Sequence, residues 1–330
     1  MLKVGKLDSK LLEDIVFKNI KFKRPEVITR PGIGEDCAVV DFGDYDCILS
    51  TDPITAAVNE IGSLSIHISC NDIASNGVEP LGIMLAVMLP VGTTAQEIEE
   101  MMKQAGQAAE KLGVEIIGGH TEITPAVIKP VIVSTAIGRG HKLAREKMKV
   151  MKPGDSIYIT KWAGLEGTGI ISCDKQEEVA TFLTEAEREE ARAMLSQVSV
   201  VEEGVLAGKI GTSGMHDITE GGVLGAVWEL CDISQTGAQI FVDQIPVKET
   251  TLKICKHFGI DYLRLISSGC MMIIVSPDKK ENMEQAMEEA QIKFSCIGRV
   301  KGKEEGLYMM VNGKRKEIDP PASDELYKAL

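Results

Sequence analysis

Between Cys37 and Val311, short apolar runs of strand length alternate with longer segments whose apolar residues recur at helical spacing, and the alternation persists through both halves of the chain. Such a chain folds into sheets covered by helices, because each sheet face and helix stripe must bury its apolar side against another element. Strands are expected at Cys37–Asp41, Cys47–Thr51, Leu81–Leu89, Val114–Ile117 and Ile128–Ile137 in the first half. Ser156–Thr160, Gly237–Val242, Cys270–Val275, Phe294–Val300 and Gly306–Val311 are expected in the second. Helices are expected at Asp8–Phe22, with Leu11, Leu12, Ile15, Val16 and Ile20 inward, and at Asn59–Asn76, Thr94–Leu112, Thr184–Ser196, Val200–Ala207, Gly222–Cys231, Lys248–Phe258 and Lys279–Ala290. Thr94 with Glu97 has the form of a capping box, and Gly77 suits a left-handed helix end. Leu81–Leu89 is apolar at nearly every position, which reads as a central strand.

A chain of 330 residues exceeds what one core usually serves, so two domains are expected, 1–150 and 151–330, with the Lys152-Pro153-Gly154 turn at the entry to the second. The formal charge of −13, from 49 acidic and 36 basic residues, argues against an extended nucleic-acid surface, which needs a basic patch. The basic cluster from His141 to Lys152 (Arg145, Lys147, Lys149) is short and aromatic-free, and reads as a solvated connector. The eight cysteines show no zinc-ligand spacing and read as small buried hydrophobes in a reducing compartment. With neither a signal-type apolar run at Met1–Lys6 nor an uninterrupted apolar stretch of membrane-spanning length, the protein is expected in the cytoplasm, with no membrane partner.

The chemistry gathers around acids and glycines. Arg30-Pro31-Gly32-Ile33-Gly34-Glu35-Asp36 places a glycine turn before an acidic pair. Glycines there let backbone N–H groups turn toward an anion, and Asp36 could hold the cation such an anion brings; a plain turn into a strand has the same form. Asp36, Asp52, Asp72, Glu122 and Asp217 each fall at or near the junction of an inferred element and a glycine-containing turn. Mg²⁺ favours carboxylate and phosphate oxygens, so acids converging from separate elements could bind metal-bridged phosphates; taken singly, each is as well explained as a cap or turn residue. Lys161 and the glycines at 164–169 lack the Gly-Lys-Ser/Thr ending of a Walker site. Gly204, Gly208, Gly211 and Gly214 read as turns between helices, Ser267-Ser268-Gly269 as a turn before a strand, and His67 as a hydrogen-bonded interior histidine.

Gly32-Ile33-Gly34-Glu35-Asp36-Cys37-Ala38, Ser50-Thr51-Asp52, Cys70-Asn71-Asp72-Ile73-Ala74-Ser75-Asn76-Gly77 and Gly118-Gly119-His120-Thr121-Glu122, followed by Lys161–Gly169 and Met215–Gly222, resemble in order and spacing the motifs of the AIR synthase (PurM-like) superfamily. The layout is most similar to its HypE branch, the hydrogenase expression/formation proteins. The resemblance implies a two-domain α+β fold whose N-terminal sheets pair into a barrel in a homodimer, and an ATP- and Mg²⁺-dependent phosphoryl transfer or dehydration. Carried over by position, Asp36, Asp52, Asp72 and Glu122 would hold metal. Gly32, Gly34, Asn71, Gly118, Gly119 and Thr121 would join Asp36, Asp52 and Asp72 in holding nucleotide, and Asp72, His120 and Asp217 would serve catalysis.

Two departures accompany the resemblance. His120 stands where kinase relatives carry an aspartate, so Glu122 would supply the carboxylate there. His120 itself could donate to phosphate, act as a base, or be a hydrogen-bonded turn residue. The last cysteine is Cys296, so the terminal cysteine that accepts a carbamoyl group in HypE has no counterpart in the sequence given, and a different small-molecule or protein acceptor is expected. The alternatives are a small-molecule kinase of the thiamine-monophosphate type and a non-catalytic nucleotide-binding protein.

Overall fold

In the computed structural model, which describes residues 7, 9–55, 60–142, 150–321 and 323–330, each half of the chain builds its own sheet. The first holds β1 (Val27–Thr29), β2 (Ala38–Asp41), β3 (Tyr45–Ile54), β4 (Pro80–Leu89), β5 (Glu115–Ile123) and β6 (Val131–His141), in the order β1-β2-β3-β6-β4-β5. Its neighbours run antiparallel except the β4–β5 pair. The second holds β7 (Ser156–Thr160), β8 (Gly214–Asp217), β9 (Gly237–Phe241), β10 (Met271–Val275), β11 (Phe294–Lys301), β12 (Leu307–Val311) and β13 (Lys314–Glu317), in the order β13-β12-β9-β11-β7-β10-β8. Every residue of β7 and β10 is buried, which fits the continuous apolar sequence of β10 and the position of both strands inside the sheet.

Helix α1 (Ile61–Ser75) ties the halves together. It is buried along nearly its whole length, polar residues included, because it is covered by β3, β6, α2 (Ala95–Leu112) and α5 (Val201–Ile210). Leu64, Ile66 and Ile73 are fully buried, and each such side chain contributes about 1.5–3 kcal/mol relative to exposure. The α1–α5 crossing is close because α5 carries glycine where it meets α1. A Cβ on Gly204 would fall 2.3 Å from the Ala74 carbonyl oxygen, and one on Gly208 would fall 2.4 Å from Gly77. Gly204 and Gly208 are therefore helix residues selected by packing rather than turns, and Gly214 opens β8.

Helix α2 starts with the expected capping box: the Glu97 N–H donates to Thr94 Oγ1 at 3.3 Å and the Thr94 N–H to Glu97 Oε2 at 2.7 Å. The second half adds α3 (Leu165–Asp174), α4 (Glu185–Ala193), α6 (Gly222–Ser234), α7 (Glu249–Phe258) and α8 (Lys280–Glu289). The glycine-rich Gly164–Gly169 stretch is the start of α3. Added Cβ atoms on Gly167 and Gly169 would each fall 2.5 Å from a leucine, Leu265 and Leu195 respectively, so these glycines permit close packing.

Other expectations are corrected. Ser9–Asn19 forms short α, π and 3₁₀ turns in which Leu11, Leu12 and Phe17 are only half-buried, and Ile15, Val16, Ile20 and Phe22 are exposed. The strand expected at Ile128–Ile137 begins at Val131 and leaves Ile128 exposed. β4 is an interior strand covered on one face only, with Leu81 and Met84 exposed on the other. Asp8, Asn59, Arg145, Lys147 and Lys149 lie outside the described residues, as do the remaining members of 143–149. No helix among the described residues is long and apolar enough to cross a membrane.

Candidate functional site

Four of the five acids singled out from the sequence meet where the halves join. Ser50 and Asp52 are two residues apart on β3 and so face the same side, toward α1. The Ser50 hydroxyl reaches Asp52 Oδ2 at 3.1 Å and forms a short hydrogen bond to Asp72 Oδ2 on α1. Asp217, the last residue of β8, and Asp36, in the turn before β2, enter from the second and first halves. Asp52 and Asp72 thus lie inside β3 and α1, whereas Asp217 ends its strand, at the kind of junction the sequence reading expected.

The electrostatics follow from burial. Asp72 is pushed well above the usual carboxylate range, first by loss of water and then by Asp217, Asp52 and Asp36 around it. Asp217 is raised in the same way by burial and then by Asp36, with His216 opposing. Both carboxylate oxygens of Asp217 are buried without a hydrogen-bond partner among the described residues. His216 Nδ1 stands 4.0 Å from Asp217 Oδ1, too far for a hydrogen bond; a buried carboxylate without a hydrogen bond is costly and fits a group that brings further positive charge. Ligand atoms of Asp36, His216 and Asp217 lie within 4.8 Å of one another.

His216, Ser50 and Glu229 were not singled out from the sequence. The His216 ring is 3% exposed; its Nε2 lies 3.0 Å from Glu229 Oε2, and its Nδ1 lies 2.7 Å from the Asp217 carbonyl oxygen and 3.4 Å from Asp36 Oδ2. Burial opposes charge on this ring, but Asp36, Glu229 and Asp217 outweigh it and raise the imidazole to about 10. The only sequence signals were the adjacent His-Asp pair and the serine two residues before Asp52. Nothing in the sequence ties Glu229 to either.

Other expected residues lie elsewhere or are already engaged. Asn71 is fully buried and uses its carboxamide on backbone, donating to the Val198 carbonyl at 2.7 Å and accepting from the Val200 N–H at 2.8 Å. Gly118, Gly119, His120, Thr121 and Glu122 do not form a turn; they continue β5, at the sheet edge. One row of the sheet runs Asp52, Ser134, Leu85, Gly119, which sets Gly119 three strand spacings from Asp52, roughly 14 Å. A Cβ on Gly119 would fall 1.9 Å from the Leu85 carbonyl oxygen, so this glycine serves the approach to β4. His120 and Glu122 alternate onto the opposite face, exposed and 3.5 Å apart, so within one chain they are outside the acid cluster.

Gly34 has φ +73° and packs on α6, where its added Cβ would fall 2.5 Å from Ile233 Cδ1; Gly32 makes the tight turn, its carbonyl accepting from the Glu35 N–H at 3.3 Å. Cys37 and Cys70 are buried, with thiols pushed up by burial, in keeping with packing roles. Ser267 is a turn residue that accepts from the Gly164 N–H at 2.7 Å. His67 is buried, but its Nδ1 has no hydrogen-bond partner among the described residues, contrary to expectation. Burial, with Lys111 and Lys161 nearby, holds it down to about 4.

The N-terminal domain of the AIR synthase related protein family matches residues 34–140, and its C-terminal domain matches residues 152–309. A putative hydrogenase expression/formation protein of Methanocaldococcus jannaschii is 25% identical over 333 aligned positions, covering 98% of this chain and 96% of that protein. The carbamoyl dehydratase HypE of Bradyrhizobium diazoefficiens is 29% identical over 255, covering 74% and 71%. Among solved structures, a HypE–HypF complex superposes with a TM-score of 0.77 at 23% identity, covering 94% of this chain and 99% of that one. The hydrogenase maturation protein HypE in complex with ATP superposes with 0.72 at 22%, covering 99% and 98%. At these identities the superpositions establish the two-domain α+β fold.

Proposed function

The chain belongs to the AIR synthase related protein family, and from that membership and the converging carboxylates we propose that it is a HypE-like, ATP- and Mg²⁺-dependent phosphoryl-transfer or dehydration enzyme. The observation that carries the reading is Asp217: both its oxygens are buried and unpartnered, close to Asp36, with Asp52 and Asp72 completing the negative set. A donor set made of carboxylates fits Mg²⁺, and Asp36, Asp52, Asp72 and Asp217 would hold it. When bound, the ion would neutralise charge on the transferring phosphoryl group. The protein's own part is positioning. Ser50 fixes Asp52 against Asp72, and the Gly32–Gly34 turn offers backbone N–H groups to phosphate without Cβ interference.

The acceptor would be a small molecule or protein group presented at the junction of the halves. The working form would be a homodimer, the second copy covering the exposed faces of β4 and β5 and bringing the edge with Gly118, His120, Thr121 and Glu122 into a subunit contact. The known ATP complex of a HypE of the same fold supports the nucleotide assignment. A thermal-shift series tests it. ATP with Mg²⁺ at a hundredfold excess over its Kd should stabilise the chain by about 2.7 kcal/mol, a rise of a few degrees. No shift, or an equal shift with EDTA present, would remove the assignment.

A further inference from the structure

The neighbourhood of His216 contains two separate contacts between one helix and the glycine turn. Gly34 packs on α6 beside the stem of Glu229, 3.5 Å from an added Cβ to the Glu229 Cβ, and beside Ile233. The Glu229 carboxylate, farther along the same side chain, meets His216 Nε2 at 3.0 Å, and the far side of that ring faces Asp36 Oδ2 at 3.4 Å. Both ring nitrogens face acceptors only, the Glu229 carboxylate on one side and the Asp217 carbonyl with Asp36 on the other, so both act as donors. The ring is therefore held in place by the second half, its Nδ1–H donated to the Asp217 carbonyl, and its Nδ1 edge stands 3.4 Å from Asp36 Oδ2 of the first.

We propose that His216, oriented by Glu229, is a positioning residue that fastens the Pro31–Asp36 turn of the first half to β8 and α6 of the second, setting Asp36 beside Asp217. This rests on the nucleotide reading for its consequence but not for its geometry. Within the turn, the Glu35 N–H donates to the Gly32 carbonyl at 3.3 Å and Gly34 packs on α6. Loss of the tie frees the turn locally and leaves Asp36 without a fixed separation from Asp217. Ser50, Asp52 and Asp72 keep their mutual contacts, since those lie within the first half.

The test uses the full chain and three variants: H216Q, E229A and the double substitution. E229A removes the acceptor that orients the ring while retaining the Cβ that packs beside Gly34. Hydrogen exchange at residues 32–37 should accelerate about tenfold in each single variant, and no further in the double, because both substitutions break one tie. Exchange across β7, Ser156–Thr160, should remain that of the parent chain, which a general loss of stability would not allow. The midpoint for a non-hydrolysable ATP analogue with Mg²⁺ should rise about tenfold. Parent-like protection of 32–37 in a folded variant overturns the proposal, as does a double variant in which the two effects add. If H216Q does not fold, E229A decides alone. If the parent chain binds no nucleotide, the functional reading falls, and the exchange measurement still judges the tie.

Discussion

Asp217 and Glu166 are both buried carboxyl groups of the second half, and their surroundings separate a site from a structural burden. Asp217 has Asp36 and His216 close by and both oxygens unpartnered. Glu166, in the first turn of α3, is 5% exposed and raised to about 7, chiefly by burial, with Ser268 opposing and Glu220 and Asp324 adding to the rise. A raised acid stabilises the fold below its unfolded value near 4.5, and that contribution is lost as pH climbs through about 7. Glu166→Gln should therefore gain up to about 3 kcal/mol at pH 8 and almost nothing at pH 4. Denaturant unfolding at the two values checks this, and an equal difference at both would contradict it. At this scale Asp36, Asp52, Asp72 and Asp217 were legible because each falls in a short motif, such as Gly34-Glu35-Asp36 or Ser50-Thr51-Asp52, that resembles those of the family. His216 was passed over because its importance comes from Glu229, thirteen positions later on another element.

Among elements, amphipathic helices and apolar strands were legible, and errors fell where glycine admits two conformations. α2 carries its start in Thr94 and Glu97 and its end in Gly113, whose φ is +68°, so its bounds followed from local chemistry. Gly204 and Gly208 of α5 looked like turns because Ala74 and Gly77, which need them, lie far away in sequence. β5 was cut short for the same reason: Gly118-Gly119 has the form of a turn, and only the row joining Gly119 to Leu85 shows a strand. Sheet order, which no local pattern encodes, then decided that His120 and Glu122 stand apart from Asp52. The Ser9–Asn19 turns failed the expectation differently, having the right spacing but no surface to bury against.

Over the whole molecule, one core runs from the first half into the second, through α1, α3 and α5, so the halves are held by packing as well as by the site. What a single chain leaves open is the outer face of β4 and the edge strand β5, with Leu81, Met84, Ile117 and Ile123 exposed. Apolar residues on an unpaired edge mark an interaction surface. Sedimentation should give the mass of two chains, and Met84→Lys should halve it; a single-chain mass for the parent protein would refute the pairing. The expectation of pairing rests on resemblance alone, since an apolar strand reads the same whether its second face meets a helix or another subunit.

On the proposed function, acids from both halves form one cation-and-nucleotide site. Isothermal titration of an ATP analogue with Mg²⁺ into Asp52→Asn and Asp217→Asn tests it most directly. Each substitution, one from either half, should weaken binding at least about tenfold relative to the parent chain. Binding by a folded Asp217→Asn protein that matches the parent, alongside loss in Asp52→Asn, would place the site in the first half alone and contradict the account.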